Sequence, residues 1–563
     1  MTLRLPARSD TAGWRRWFAV AMLGMLAVLA AQLFLLPWLA GIGDVVIQDD
    51  ARQFLAWMPR LIDPDALRGD WMADFWASVS PAAYGTLYRI GAVFGIAPTD
   101  MARLLPVALM GLSGVGAWRL ARAMCPDVRV AFVAAAFVMA YLTKEDSIFS
   151  ATPRGVAVPI ILFFLDALVR QRWTALAVTA AALTLVYPAP AITLFTMLGL
   201  SRLRHKGFPP LAGGWGDVLR LGAVGLLIVG IALLFREQAQ GWGPVLTLEE
   251  ARRMPALMTP GARSTIVNAN GQIDYLCSMR TGFLPEMVRC GHVPFAWAAN
   301  LLLLVPLLWL GWRGLRDGGR NRIYAIAVAA ALLWFVAAWL VAFRLHLPSR
   351  YSQRVLSLLE WLALGQVIGT ALVRTPGTWP SRIATGFTAL CLLAAFATPL
   401  PKLKAPSDRR VIDQARMLPP GVRIGGVSDD LTFIPALAGR AVTASSEHAI
   451  PWETGYYRRI ASGMVNDLVI VSTSDPGVLK AALARSGADY LLVSNLVLKD
   501  REIPRDYRRT LPIEAEAAAR SLAAHPPLLA EIASQCRAPG AAFIPVPCLL
   551  GVLAAQQVAD QGH

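Results

Sequence analysis

The sequence predicts an all-α polytopic membrane domain of about eleven transmembrane helices, residues 1–399, followed by an α/β soluble domain, residues 400–563. Three observations predict it. The 563 residues are 56% hydrophobic and only 16% charged, with mean hydropathy +0.50, whereas soluble chains are about 25% charged. Apolar runs recur at the length that crosses a hydrocarbon layer, about 20 residues. Beyond residue 400 those runs stop, and short β-branched runs replace them.

Lys and Arg outnumber Asp and Glu by 53 to 37. The basic residues are scattered among apolar spans rather than gathered in a stripe, which excludes a nucleic-acid module. Cytoplasmic loops collect Lys and Arg, and anionic lipid headgroups or phosphates are the other partners that such an excess suits.

Arg4, Arg8, Arg15 and Arg16 precede the first apolar run. That run, about 23 residues, exceeds the core of a cleaved signal peptide. An uncleaved anchor with a cytoplasmic N-terminus is expected, so "VVIQDDARQF" emerges outside into a first outer loop of about residues 43–100. There, the apolar and aromatic residues Phe54, Leu55, Trp57, Met58, Leu61 and Ile62 have the spacing of an interfacial amphipathic helix.

"MARLLPVALMGLSGVGAWRLARA" then runs inward, "VAFVAAAFVMAYL" outward, and "VAVPIILFFLDALV" inward to Arg170 and Arg172. Between the last two lies a second outer loop, "TKEDSIFSATPRG". "TALAVTAAALTLVYPAPAITLFTMLGL" carries Pro188 and Pro190 at its centre. It forms either one kinked span or two short helices turning at "YPAP", and basic residues at both ends favour two. Further spans are expected near 218–235, 293–312, 323–343, 355–373 and 383–399, with an outer loop at about 236–292.

Cysteine fixes the side of the tail. Cys277 and Cys290 share the outer loop, and Cys536 and Cys548 share the tail. Even numbers in these segments suit disulfides in an oxidising compartment. In the tail, "GVRIGGVSDD", "RAVTASSE", "NDLVIVSTSD" and "ADYLLVSN" are expected as strands, with a helix over "PGVLKAALARSG".

The outer face therefore gathers carboxylates beside arginines. The first loop holds Asp49, Asp50 and Arg52; the second holds Lys144, Glu145, Asp146 and Arg154. A later one, "RLHLPSRYSQR", adds His346, Arg350, Tyr351 and Arg354. A carboxylate serves as general base on a hydroxyl, and arginines hold a phosphate and stabilise its departing charge. Together they suit group transfer from a lipid-linked phosphate donor. Whether a divalent cation such as Mg or Mn takes part stays open; Asp49, Asp50, Glu145 and Asp146 would supply its oxygen ligands only if the two loops meet.

With "QDDARQF" just after the first span, "ATPRG" and "LHLPSRY" in outer loops, and a soluble tail, the chain resembles the GT-C superfamily of polytopic membrane glycosyltransferases. The resemblance implies a polyprenyl-phosphate sugar donor, a glycan, lipid or other hydroxyl acceptor, and transfer on the periplasmic face of a bacterial inner membrane. It gives Asp49 or Asp50 the role of base. The tail has no WWDYG-like motif, which turns the expectation away from transfer to asparagine. Two rivals stand beside this reading. A transporter or flippase for lipid-linked saccharides would carry charges within its spans; the acidic residues there are chiefly Asp166 and Glu360. A catalytically inactive scaffold of the same fold would keep the architecture alone.

Overall fold

A computed structural model describes residues 10–203, 211–234, 241–258, 262–267, 271–290, 294–374 and 403–561, with a few isolated positions between. The helices that organise it are α1 (Thr11–Leu39), α2 (Trp71–Val79), α3 (Ala82–Val93), α4 (Pro98–Met124), α5 (Val128–Leu142) and α6 (Pro153–Arg170). They continue with α7 (Trp173–Val186), α8 (Pro188–Arg202), α9 (Trp215–Leu234), α10 (Ala296–Asp317), α11 (Arg322–Leu340) and α12 (Ser349–Arg374). In the tail, α13 (Thr454–Ser472), α14 (Pro476–Ser486) and α15 (Pro512–Ala524) follow.

Six of these, α1, α4, α9, α10, α11 and α12, are long and apolar enough to cross a membrane. Eleven spans were expected, and four of the others form as shorter helices. α5, α7 and α8 have 15, 14 and 15 residues, and α6 has 18. At 1.5 Å per residue, the shortest reach only about 21 Å. Protein neighbours surround them: α5 lies along α12, and α6 packs between α4 and α7. The span expected near 383–399, with Cys391, lies outside the described residues.

The chain breaks at Tyr187–Pro188, between α7 and α8, where proline removes a helix donor. The far ends of these two helices return to one place. Arg202 donates to Gln171 Oε1 at 3.0 Å and lies over the Trp173 ring. The pair is thus a hairpin, with Tyr187 at its apex.

The loop after α1 does not hold the expected helix over residues 54–62. It makes two short turns, Ala51–Phe54 and Met58–Leu61, and Pro59 starts the second without an N–H to give. Leu55, Trp57 and Met58 are buried in the protein rather than laid on a membrane. The apolar tip is instead the end of α3, where Ile90, Val93 and Phe94 are exposed.

That loop docks on the tail. Strand β1 (Ile47–Gln48) pairs antiparallel with β2 (Leu403–Lys404), so both segments lie at one end of the bundle. Strands β3 (Arg423–Gly425), β4 (Ala441–Val442), β5 (Tyr490–Leu492) and β6 (Phe543–Pro545) form one sheet in the order β4-β3-β5-β6, parallel except for β6. The tail is the expected α/β layer, with one correction. "NDLVIVSTSD" is the end of α13 rather than a strand. Its β-branched residues continue a helical stripe of Ile460, Met464, Leu468 and Val471 that packs on α14 and α15, and packing outweighs local propensity there. Gly487, with φ 61°, ends α14 as read. Both expected disulfides are present, Cys277–Cys290 and Cys536–Cys548.

The junction turns on Glu447, just past β4. Its carboxylate binds Arg52 of the first loop at 2.8 Å and Arg263 of the loop before α10, and Gln53 also donates to it. Side-chain exposure is only 5% for Arg52 and 6% for Glu447. Removing one partner of a buried pair leaves the other charge stranded, at a cost of about 3–5 kcal/mol. Glu447→Ala is therefore expected to lower the thermal unfolding midpoint of the detergent-solubilised protein and to speed proteolysis of the first loop. An unchanged midpoint means that the junction contributes little.

Candidate active site

An adjacent Asp pair after a span often does no more than cap a helix. Here Gln48 caps instead: its Oε1 accepts from the backbone N–H of Asp50 at 2.8 Å and of Ala51 at 3.3 Å. Asp50 makes no cap of its own for the Ala51–Phe54 turn. Both carboxylates are left for other partners, and both are reachable, at 27% and 28% exposure.

They face different ways. Asp49 pairs with Arg52, which also donates to the Asp49 carbonyl, to Thr432 Oγ1 at 2.6 Å and to Glu447, under the Phe433 ring. Arg52, expected at a phosphate, is thus held by the domain junction. Asp50 pairs with Arg154, at the start of α6. Gly155 lets that helix approach so closely; a Cβ there would lie 2.1 Å from the Ser147 carbonyl oxygen.

The contact brings the loop between α5 and α6 alongside. Glu145 accepts from Arg354 at 2.8 Å, Tyr141 at 2.7 Å and Ser147 at 2.6 Å. Burial pushes its carboxyl up, yet Arg354 and the two hydroxyls outweigh this and hold it down at about 2. Lys144 is exposed, and Asp146 begins the short helix Asp146–Phe149. The four acids expected as cation ligands are not drawn into one group: among the described residues no three His, Cys, Asp or Glu side chains could hold a metal ion together.

Arg350 lies over the Tyr187 ring at 5.7 Å, at the apex of the α7–α8 hairpin. Tyr351 is buried; its hydroxyl donates to the Leu345 carbonyl at 2.8 Å and its ring stacks on Trp334. His346 sits in a left-handed turn with φ 64° and meets the Trp452 ring. Burial, then Arg350, Arg280 and Arg154, hold its imidazole well below the ordinary histidine range, so it is neutral.

Four residues were not foreseen from sequence: Arg263, Arg280, Glu447 and Tyr187. Arg280 lies inside the Cys277–Cys290 loop, a position that the cysteine pairing alone pointed to. Gln353 anchors that loop by donating to the carbonyls of Ser278, Gly282 and Leu284. Burial and then the charges of Arg350 and Arg154 lower Arg280 to about 10. The described carboxylates at the site are engaged by Arg52, Arg154, Arg263 and Arg354. Arg280 and Arg350 form no ion pair among the described residues; Arg280 lies near Arg154 and Asp50, and Arg350 near Arg154 and Glu453.

Because Glu145 is depressed in the folded state, its stabilisation is present above its ordinary value of 4.5 and is lost as pH falls towards about 2. Glu145→Gln is expected to destabilise the protein at neutral pH, with the difference from wild type vanishing below about pH 2. Unfolding midpoints across that range check it; a difference independent of pH contradicts the assignment.

No family model matches the chain, and no curated protein matches it. It is similar to two solved structures of the arabinofuranosyltransferase AftD from mycobacteria. One, of a mutant form, is 18% identical with TM-score 0.48, covering 85% of this chain and 37% of that one. The other is 17% identical with TM-score 0.45, covering 91% and 37%. The chain thus spans little more than a third of the length of the structures it matches.

Proposed function

We propose that this protein is a GT-C-type membrane glycosyltransferase that moves a sugar from a polyprenyl-phosphate donor to a hydroxyl acceptor on the periplasmic face. The observation that carries the reading is the pair of arginines without ion-pair partners, Arg280 and Arg350, beside the reachable Asp50–Arg154 pair. Half-buried guanidiniums without a counter-charge are costly, and an anionic ligand offsets that cost.

Asp50 is the base in this scheme, and Asp49 positions Arg52. The donor phosphate draws Arg154, Arg280 and Arg350 to itself, which frees the Asp50 carboxylate for the acceptor hydroxyl. The acceptor oxygen attacks the anomeric carbon as the bond from that carbon to the phosphate oxygen breaks. The proton passes to Asp50, and the departing phosphate monoester keeps the electron pair under the arginines. Attack opposite the leaving group inverts the anomeric centre. The neutral His346 is able to hydrogen-bond a sugar hydroxyl without competing for the phosphate. A transport reading would lean on Glu360, buried in α12 with neither carboxylate oxygen hydrogen-bonded among the described residues. The outer-face polar groups favour the enzyme.

Activity of purified protein against a panel of polyprenyl-phosphate sugars tests the proposal. Asp50→Asn is expected to lose about 100-fold or more in kcat, the scale of a removed general base. Asp49→Asn is expected to lose about tenfold or less, through looser packing at the junction. Equal activity of Asp50→Asn and wild type removes Asp50 from the chemistry. Arg280→Gln and Arg350→Gln are each expected to raise the donor KM about tenfold or more, the scale of one charged hydrogen bond. An unchanged KM in both places the phosphate elsewhere.

A further inference from the structure

We propose that Glu453 binds the sugar of the donor, accepting hydrogen bonds from its ring hydroxyls beside the phosphate that Arg350 holds. This assignment rests on the glycosyltransferase reading and adds to it a residue of the tail. Glu453 immediately precedes α13, where a side chain ordinarily caps the helix, yet it makes no cap hydrogen bond. It is half-buried. Unlike the carboxylates described above, it forms no ion pair among the described residues, although Arg350 is its nearby charge.

The main chain holds that residue in place. Residues 452–456 are laced to residues 242–246: Leu246 donates to the Trp452 carbonyl at 2.8 Å, Thr454 to that of Pro244 at 3.0 Å, and Tyr456 to that of Trp242 at 2.9 Å. The buried Trp452 ring meets the rings of Phe343 and His346, each at 5.7 Å. These contacts bring the edge of the tail to the loop that leads into α12. None of them uses the Glu453 side chain.

Opposite charges shielded from water attract strongly and close up when both are free to move. Here neither is free: Arg350 lies over the Tyr187 ring, and Glu453 sits in the laced segment. Burial raises the Glu453 carboxyl, and its own backbone N–H and then Arg350 draw it back only in part. Held apart in this way, the two suit a ligand that donates to the carboxylate while its anionic end engages the guanidinium. A sugar joined to phosphate at its anomeric carbon is such a ligand, because its hydroxyls stand a few bonds from the phosphate. The uncharged His346, also near Arg350, adds a neutral hydrogen-bonding group at the same place. Asp50 meets the arginines elsewhere, through Arg154. The two carboxylates therefore serve different substrates, Asp50 the acceptor and Glu453 the donor.

The test is native mass spectrometry of the whole chain in detergent with polyprenyl-phosphate glucose, mannose or arabinose. Each is compared with polyprenyl methyl phosphate, which carries the same single charge and no sugar. The readout is the affinity for the best-bound sugar lipid relative to the methyl ester. Glu453→Ala is expected to lower that ratio about tenfold or more, the scale of hydrogen bonds to a charged group. Glu453→Gln, which keeps the shape and one acceptor oxygen, is expected to lower it about threefold or more. Arg350→Gln is expected to weaken both kinds of lipid alike. If wild type binds neither kind, the glycosyltransferase reading fails and this assignment with it. If wild type binds them and Glu453→Ala leaves the ratio unchanged, or Glu453→Gln does so where the alanine variant does not fold, the assignment of Glu453 alone is overturned.

Discussion

One carboxylate, that of Glu447, decides where three distant parts of the chain sit. It answers Arg52 from the loop after α1, Arg263 from the loop before α10, and Gln53, with Arg52 and Glu447 themselves buried. A buried charge is stable only when its partners are held in good geometry, so each partner constrains the others. Arg52 takes up its remaining donors with Thr432 and Asp49, which fixes the segment carrying the acidic pair. The distinction between Asp49 and Asp50 follows from this: one is bound into the frame, and the other points at the arginines.

The arginines around Asp50 come from separate elements: Arg154 from the start of α6, Arg280 from a disulfide loop, and Arg350 and Arg354 from the first turns of α12. Charges of one sign repel at such range, and each is held by its own anchor. Glu145 neutralises Arg354, the Tyr187 ring lies under Arg350, and Gln353 fixes the loop of Arg280. An aromatic face supports a cation without neutralising it. The charge on Arg350 therefore remains available to a ligand, unlike that on Arg354.

Much of this was legible in the sequence, for identifiable reasons. Hydropathy located the helices because length and apolarity are local properties, and the proline pair marked the break at Tyr187. The residues Asp50, Glu145, Arg154, Arg350 and Arg354 stood out because charges beside spans are conspicuous. The amphipathic pattern over residues 54–62 misled, since the apolar periodicity of a buried turn and of an interfacial helix are the same, and only Pro59 distinguished them. The β-branched run ending α13 misled because propensity was weighed without the helical stripe preceding it. Glu447 and Arg263 could not be found, because nothing local marks a residue whose partner lies 395 positions away, as Arg52 lies from Glu447. The place of Arg52 in the junction was hidden for that same reason.

The pairing of β1 with β2 has a consequence for biosynthesis. Ile47 meets Lys404, so the strand leading into the acidic pair lacks its partner until 357 more residues have been made. At cellular rates of about 5–20 residues per second, that interval is about 20–70 s. Glu447 emerges later still. A nascent chain thus carries α1 to α12 before its acidic loop can pair with the tail.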